Sequence, residues 1–254
     1  MTGFEEPATA PRDIAVIDIG SNSVRLVLYR LEGRAIWTVF NEKVLAGLGR
    51  DLATTGRLSE DGVTAALAAL KRFAAVIEGV RPARTFIAAT AAVREAADGP
   101  DFCGRVAGET GLQVRVLTGT EEAHFSALGV LAGIPDADGI TADMGGASLE
   151  LARITAGDVA PGITLPLGPF ALADPKEFDA GRLRETIARR LKPAGAYRGE
   201  HLLAVGGAWR SIAQVHMALI DYPLHIVHQY EISAAAIRDT ARLIARQSRS
   251  SLDK

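Results

Sequence analysis

The sequence predicts an α/β protein with two similar lobes that face each other across a central cleft. Two observations carry this prediction: segments of strand and helix character alternate along the chain, and one short stretch occurs twice. The first copy reads DIGSNSVRLVLYR at residues 18–30, and the second reads DMGGASLELARIT at residues 143–155. Each copy has a carboxylate and a turn-forming bend between two apolar runs, which predicts a strand–turn–strand unit. Two such units in one chain indicate a duplicated lobe.

The first half of the chain has three predicted strands before its first long helix. Residues 13–19 are rich in β-branched side chains, and residues 24–30 and 35–40 continue the strand pattern. Ser59 is placed to cap a helix whose apolar side chains recur at helical spacing. This apolar stripe consists of Val63, Leu67, Leu70, Ala74 and Ile77. After it we predict strands at 84–90 and 113–118 and helices at 100–111 and 120–134.

The second half of the chain repeats this alternation. We predict strands at 139–145, 148–154 and 202–207, and helices at 177–191 and 209–220. The two predicted lobes span residues 12–124 and 125–254, and residues 1–11 are predicted to form a flexible leader.

Composition narrows the classes of function. The 254 residues carry a net charge of −2, which argues against a nucleic-acid-binding protein that works by bulk positive charge. Cys103 is the single cysteine, so no disulfide framework or cysteine metal cage is available, and the five histidines lack metal-ligand spacing. No segment approaches the roughly 18 apolar residues of a membrane span, and the N-terminus lacks the apolar core of a secretory signal. We therefore expect a cytoplasmic protein.

The repeated hairpin has the composition of a phosphate-binding loop. Alignment of the two copies places Asp18 on Asp143, Gly20 on Gly145, Ser23 on Ser148 and Arg25 on Glu150. Glycine lets backbone N–H groups come close to an anion and adopt a positive φ, and an adjacent Asp can hold a divalent cation shared with phosphate oxygens. One such hairpin alone is better explained as an ordinary tight turn. The matching second copy favours two phosphate loops that face one ligand.

Several other residues have the chemistry of a phosphate site. Arg25 and Arg94 can make forked contacts to phosphate oxygens, although Arg25 also fits a solvated strand position. Gly206 and Gly207 lie between a predicted strand and a predicted helix, where backbone N–H groups bind anions, and Arg210 is nearby. An ordinary strand-to-helix turn explains this glycine pair equally well. The sequence contains no GxxxxGK[ST] phosphate loop and no nucleophile elbow.

Five segments resemble the signatures of one known family. They are DIGSNSVRL, ATAAVREA (89–96), LTGTEEAHFSALGV (117–130), DMGGASLEL and AVGGAWRSIA (204–213). Together they resemble the exopolyphosphatase / pppGpp phosphatase family (Ppx/GppA), in the superfamily of actin, hexokinase and heat-shock-protein ATPases. The resemblance extends from Asp13 onward and implies a two-lobed actin-like ATPase (ribonuclease H-like) fold, with duplicated mixed-sheet lobes and a central cleft. Ala147 and Ala208 depart from the family pattern, where a third glycine and a threonine are common.

The resemblance also implies a reaction, namely Mg²⁺-dependent release of terminal orthophosphate from linear polyphosphate. It implies that Glu122, with Glu121 beside it, orients or deprotonates the attacking water. From the residues alone, both glutamates are better explained as partners of the helix dipole. The residues expected to bind phosphate are Ser21, Asn22, Ser23, Arg25, Arg94, Gly145, Gly146, Ser148, Gly206, Gly207 and Arg210.

The carboxylates of Asp18, Asp143 and Glu150 are the expected Mg²⁺ ligands. Carboxylates that converge on a polyanion repel it, so a cation is needed between them. For Glu150, an exposed strand position is an equally good interpretation of the sequence.

The resemblance leaves several alternatives open. A phosphohydrolase that removes the 5′-terminal phosphate of pppGpp would share the same motifs. An ATP-dependent kinase or ATPase of the same superfamily is disfavoured by the GTEEA helix start. A non-catalytic phosphate-binding or partner-binding protein stays open, because family members usually continue with further elements and we expect the second lobe to be incomplete at its C-terminal end. Relatives frequently dimerise, which leaves a homodimer open.

Overall fold

The structure is a computed structural model that describes residues 12–33, 35–172 and 179–247. The predicted leader at 1–11 and the first residues of the predicted helix at 177–191 lie outside the described residues. Two five-stranded sheets, each with associated helices, form the two lobes. Both sheets contain parallel and antiparallel strand pairs, so the α/β class and the duplicated mixed-sheet lobes are confirmed.

The first sheet has the strand order β3-β2-β1-β4-β5. Its strands are β1 (Arg12–Ile19), β2 (Val24–Glu32), β3 (Ala35–Val44), β4 (Arg84–Ala89) and β5 (Arg115–Val116). The helices of this part of the chain are α1 (Leu52–Thr55), α2 (Glu60–Val80), α3 (Ala91–Glu95) and α4 (Gly99–Thr110).

The second sheet has the strand order β10-β6-β7-β8, and β9 also pairs with β7. Its strands are β6 (Gly139–Met144), β7 (Leu149–Thr155), β8 (Asp158–Val159), β9 (Ile163–Leu165) and β10 (Leu202–Val205). The associated helices are α5 (Gly119–Gly133), α6 (Pro169–Leu172), α7 (Ala180–Arg190), a 3-10 helix (Lys192–Ala196), α8 (Gly207–Leu219) and α9 (Ala234–Ala245).

The core of the first lobe forms between the first sheet and α2. Successive strand side chains point to opposite faces, so alternate residues of β1, such as Ile17 and Ile19, are buried together. From α2, Leu70 and Phe73 are fully buried in the same cluster. Burial of each such side chain contributes roughly 1.5–3 kcal/mol to folding. This packing fixes the end of β1, where Asp18 lies.

The second sheet packs on both of its faces. One face carries Ile140 and Leu151, which pack with Leu165 in a cluster that includes side chains of α7 and α8. The other face carries Ala152 and Ile154, which pack with alanines of α5. Asp143 and Glu150 alternate with the first set and therefore lie on the α5 face.

The position of α5 moves the boundary between the lobes. We predicted this boundary at residues 124 and 125, in the middle of the helix. Ala123 and Ala127 of α5 are both buried against the second sheet, so the whole helix packs on the second lobe. We therefore place the boundary between Leu117 and Gly119, where the chain leaves β5.

The two hairpins share the same backbone hydrogen bonds, which confirms the repeat. The N–H of Gly20 donates to Ser23 O, and the N–H of Gly145 donates to Ser148 O, both at 2.9 Å. The N–H of Gly49 donates to Ser21 O at 2.8 Å in the first hairpin, and the N–H of Phe170 donates to Gly146 O at 2.8 Å in the second. In the same way, the N–H of Gly47 donates to Asn22 O at 3.0 Å, and the N–H of Gly168 donates to Ala147 O at 3.1 Å. A later segment of each lobe thus fixes the shape of its turn.

Some predicted elements differ from the structure. The strand predicted at 84–90 ends at Ala89, and the residues after it form α3, so Arg94 lies on a helix. The strand predicted at 113–118 is reduced to two residues. The short elements α1, α6, β8 and β9 and the helix α9 were not predicted. Within the described ranges, no helix has an apolar stretch long enough to cross a bilayer.

Candidate active site

The candidate site contains four carboxylates, three on strands and one on a helix, whose charges affect one another's pKa values. Asp18 lies on β1, Asp143 on β6, Glu150 on β7 and Glu122 on α5. Burial, followed by the charge of Asp143, raises the pKa of Asp18 to about 6, although the side chain still reaches solvent. Asp18 and Asp143 come from different lobes, and the charge of Asp143 acts on Asp18, so the two carboxylates lie near each other.

Asp143 and Glu150 are direct cross-strand partners on β6 and β7. Cross-strand partners place their side chains side by side on one face of a sheet. Burial raises the pKa of Asp143, and burial together with the charge of Glu122 raises the pKa of Glu150 to about 7. Glu150 is only 2% exposed, so the interpretation of Glu150 as an exposed strand residue is wrong.

Glu122 forms an ion pair with Arg94 across the boundary of the lobes. Arg94 Nη1 donates to Glu122 Oε2 at 3.0 Å and to the carbonyl oxygen of Leu117 at 2.9 Å. Burial raises the pKa of Glu122, and the contact with Arg94 opposes this shift. Arg94 comes from α3 of the first lobe and Glu122 from the helix on the second sheet. The ion pair therefore joins the two lobes beside the other three carboxylates.

Glu121 has a different environment from Glu122. Its Oε2 accepts a hydrogen bond from the N–H of Thr118 at 2.9 Å, and its own N–H donates to Thr118 Oγ1 at 3.2 Å. This capping box satisfies two N–H groups at the start of α5, and Arg115 pairs with the other carboxylate oxygen. The interpretation of Glu121 as a helix-terminus residue fits this geometry, so we assign Glu121 to helix capping and retain only Glu122 as the candidate base.

The tips of the two hairpins contact each other. A Cβ on Gly146 would lie 3.1 Å from the Cβ of Ser21 and 3.3 Å from the ring of Phe170. Gly145 and Gly146 do not have positive φ, so a left-handed backbone does not explain glycine at these two positions. A side chain at Gly146 would be crowded by Ser21 of the opposite hairpin and by Phe170, so close packing favours glycine there. The two turns thus line adjacent parts of one cleft.

The remaining predicted residues are distributed around these hairpins. Asn22 is exposed and Ser23 half-buried, and the buried Ser148 lowers the pKa of Glu150, which places its hydroxyl beside that carboxylate. Arg25 is the cross-strand partner of Asp18, and its Nε donates to Asn41 Oδ1 at 2.8 Å. Both the solvated position and the phosphate contact that we considered for Arg25 are compatible with this exposed location.

The glycine pair after β10 lies directly beside Asp143. Gly206 has φ of 107° and precedes α8 as its N-cap residue. A Cβ on Gly206 would lie 2.5 Å from the carbonyl oxygen of Met144 and 3.1 Å from Asp143 Oδ1. Gly207 begins the helix and Arg210 is exposed on its first turn. The N-terminus of α8, whose first backbone N–H groups can bind an anion, therefore lies beside Asp143.

Two hydroxyl groups in the site were missed by the sequence analysis. Thr164 Oγ1 on β9 donates to Glu150 Oε1 at 2.7 Å. Ser126, one helical turn after Glu122, lowers the pKa of Asp143, which places its hydroxyl beside that carboxylate. Ser126 Oγ is buried without a hydrogen bond of ordinary geometry in the described structure. Only the helical spacing of Ser126 from Glu122 was visible in the sequence, and no local pattern links Thr164 to Glu150.

Gly119 has no room for a side chain at the start of α5, because a Cβ there would overlap Thr164 Cγ2. We expect Gly119→Ala to lower the free energy of unfolding by roughly 1–3 kcal/mol, as overpacking does. Gly129→Ala in the same helix is the matched control, since a Cβ there would meet no described atom within 4 Å. It should raise stability by roughly 0.5–1 kcal/mol. Urea denaturation measures both values, and equal stability of the two variants would contradict the contact.

The carboxylates fit a magnesium site that is completed by substrate and water. Mg²⁺ prefers oxygen ligands and usually binds one or two carboxylates together with water and phosphate oxygens. Asp143 and Glu150 supply such oxygens side by side, and Asp18 faces them. Among the described residues, no three His, Cys, Asp or Glu side chains are close enough to hold a metal alone. The donor set therefore suits an ion that takes further ligands from water and a bound ligand.

Two cavities lie away from these carboxylates. One of about 470 Å³ is lined by residues such as His216 and Tyr230, near the end of α8. Another of about 770 Å³ is lined by residues such as Arg57 and Asp98, near the starts of α2 and α4. Neither cavity is lined by one of the four carboxylates. The candidate site is therefore identified by these carboxylates and Arg94, not by a cavity.

Comparison with known proteins identifies the family of this chain. The sequence model of the Ppx/GppA phosphatase family matches residues 15–252. The Ppx-GppA enzyme of Aquifex aeolicus is 27% identical, with 84% of this chain and 73% of that chain covered and a TM-score of 0.69. An exopolyphosphatase from Cytophaga hutchinsonii ATCC 33406 is 22% identical, with 94% and 82% covered and a TM-score of 0.82. An exopolyphosphatase-like protein is also 22% identical, with 96% and 80% covered and a TM-score of 0.84.

The structural similarity shows that the chain shares its fold, with two mixed-sheet lobes, with these exopolyphosphatase structures. The family match extends over nearly the whole chain and includes both hairpins and the GTEEA helix start. The protein therefore belongs to the Ppx/GppA phosphatase family, whose members are hydrolases of phosphoanhydride bonds.

Proposed function

We propose that this protein is an exopolyphosphatase that releases terminal orthophosphate from linear polyphosphate with the help of Mg²⁺. The observation that carries the proposal is the ion pair between Arg94 and Glu122, at 3.0 Å, beside the coupled carboxylates Asp143 and Glu150. A base and a guanidinium are thereby held at one point of the cleft. Hydrolysis of a phosphoanhydride needs an aligned water and neutralised charge on the transferred group, and these side chains supply both.

Glu122 is the proposed general base. The oxygen of the attacking water forms a bond to the terminal phosphorus, the bond from phosphorus to the bridging oxygen breaks, and Glu122 accepts the proton of the water. Burial raises the pKa of Glu122, which makes the carboxylate a better proton acceptor, while Arg94 keeps it ionised. The bridging oxygen leaves as part of the shortened chain.

Arg94 and the two hairpins are proposed to hold the phosphates. Arg94 can exchange part of its contact with Glu122 for phosphate oxygens, and a guanidinium suits their geometry. The turns that begin at Gly20 and Gly145 have equivalent backbone bonds, so they can present N–H groups to neighbouring phosphates from both lobes. Asp18, Asp143 and Glu150 would hold Mg²⁺, which neutralises phosphate charge when it is bound.

The residues that we place in the site are polar, charged or glycine, which suits a chain of phosphate groups. The family match is to phosphatases, which removes the support for a kinase. The coupled carboxylates and the Arg94–Glu122 pair have the chemistry of a catalytic site, which speaks against a non-catalytic phosphate-binding protein.

The test is orthophosphate release from linear polyphosphate and from pppGpp at equal Mg²⁺ concentrations. The proposal predicts a kcat/KM for polyphosphate that clearly exceeds the value for pppGpp. A higher kcat/KM for pppGpp would replace the substrate assignment with the 5′-phosphohydrolase alternative. Absence of release from both substrates would overturn the proposed function.

A further inference from the structure

Thr164 lies between two parts of the active site that are far apart in the sequence. It is the central residue of β9 and the cross-strand partner of Glu150 on β7. Its hydroxyl donates to Glu150 Oε1 at 2.7 Å. Because Glu150 is almost fully buried, this hydroxyl is one of the few groups that can hold its carboxylate in one orientation.

The methyl group of Thr164 faces the start of α5. Thr164 Cγ2 occupies the space that a Cβ on Gly119 would need. Gly119 is buried and is the first residue of α5, which carries Glu122 one turn later. The two branches of one side chain therefore contact Glu150 and the helix start that carries Glu122.

We propose that Thr164 is a positioning residue, whose hydroxyl fixes the Glu150 carboxylate for the metal while its methyl group holds the start of α5. The proposal rests on the proposed function for its link to catalysis. A plain strand residue at this position would need only β-branched shape, which valine provides as well as threonine does. The two roles can therefore be separated by substitution.

Thr164→Val keeps the branched shape but removes the hydroxyl, and Thr164→Ser keeps the hydroxyl but removes the methyl group. Loss of a group that orients a metal ligand commonly weakens metal affinity by about 10–100-fold. We expect Thr164→Val to raise the Mg²⁺ concentration for half-maximal phosphate release by at least about tenfold. Thr164→Ser should restore it towards the wild-type value.

A second readout is independent of activity. The rise in melting temperature on addition of Mg²⁺ reports binding directly. This rise should be smaller for Thr164→Val than for Thr164→Ser and the wild type. Thr64→Val is the matched control, because Thr64 is an exposed threonine of α2 whose hydroxyl bonds only the carbonyl oxygen of Glu60 in the described structure.

Failure of the Thr164 proposal can be distinguished from failure of the proposed function. Equal Mg²⁺ dependence of Thr164→Val and the wild type, or an equal defect in Thr164→Ser and Thr164→Val, would overturn the role of the hydroxyl. A wild-type protein that does not release phosphate from polyphosphate would overturn the proposed function, whereas the Mg²⁺-dependent melting shift would still test Thr164. If Thr164→Val does not fold, Thr164→Ala replaces it, because alanine and serine again differ by one hydroxyl.

Discussion

Replacement of Glu122 by Gln is expected to lower the turnover number for phosphate release by roughly 10²–10⁴ while the fold is retained. Gln has nearly the same shape and can still accept the hydrogen bond that Arg94 donates at 3.0 Å. Its amide cannot accept a proton from water, so only the proposed chemical role is removed. The loss should fall on kcat rather than KM, because the hairpins are unchanged. Steady-state phosphate release measures kcat and KM, and circular dichroism melting shows whether the fold is retained.

Two further variants sharpen this test. Glu185→Gln on α7 is the control for an exposed glutamate outside the site. Glu121→Gln removes the charge but keeps an oxygen that can accept from the N–H of Thr118, because Glu and Gln both serve at this position of a capping box, so the fold should be retained. Its effect on kcat should be much smaller than that of Glu122→Gln. Near-normal turnover of Glu122→Gln, or an equal loss of turnover in Glu121→Gln, would refute the assignment of the base.

Removal of Mg²⁺ by a chelator is expected to lower phosphate release by at least about 10²-fold, the scale of metal stabilisation of a transferred phosphoryl group. The reason lies in the charges of the cleft. Burial is the main cause of the raised pKa values of Asp18 and Glu150, and the charges of Asp143 and Glu122 raise them further, so these carboxylates already repel one another. A polyphosphate chain adds further negative charge, and a cation is needed to hold it there. Activity should return when Mg²⁺ is restored.

Asp143→Asn locates this requirement in the cleft. The variant should need at least about tenfold more Mg²⁺ for half-maximal activity, because an amide oxygen is a weaker partner for the ion than a carboxylate. Asp158→Asn on β8 is the control, since Asp158 is exposed at the far end of the β7–β8 hairpin. Phosphate release that is unchanged in excess chelator would contradict the proposed metal requirement.

The repeat carried most of the fold that could be predicted from the sequence. DIGSNSVRL and DMGGASLEL each have a local pattern of carboxylate, turn and apolar alternation, and both form hairpins with equivalent hydrogen bonds. The long helix after Ser59 was predicted because its apolar residues recur at helical spacing and form one face. Such patterns involve residues that are close in sequence, so they can be recognised from the sequence alone.

Features that depend on long-range packing were predicted less well. The predicted boundary of the lobes falls inside α5, because this helix follows the first sheet in sequence but packs on the second. Thr164 was missed because its partner Glu150 is set by the register of β9 on β7. Glu121 and Glu122 are adjacent in the sequence, and only the structure shows that one caps the helix while the other meets Arg94.

The most direct test is calorimetric titration of the inactive Glu122→Gln variant with tripolyphosphate in the presence of Mg²⁺. If one polyanion is gripped by both lobes, it should bind once per chain. Ser23→Ala in the first hairpin and Ser148→Ala in the second should each weaken that same binding event by roughly tenfold, the scale of a lost hydrogen bond to a charged group. Two independent binding events, or an affinity that responds to only one of the two hairpins, would show that the cleft does not hold its ligand in this way.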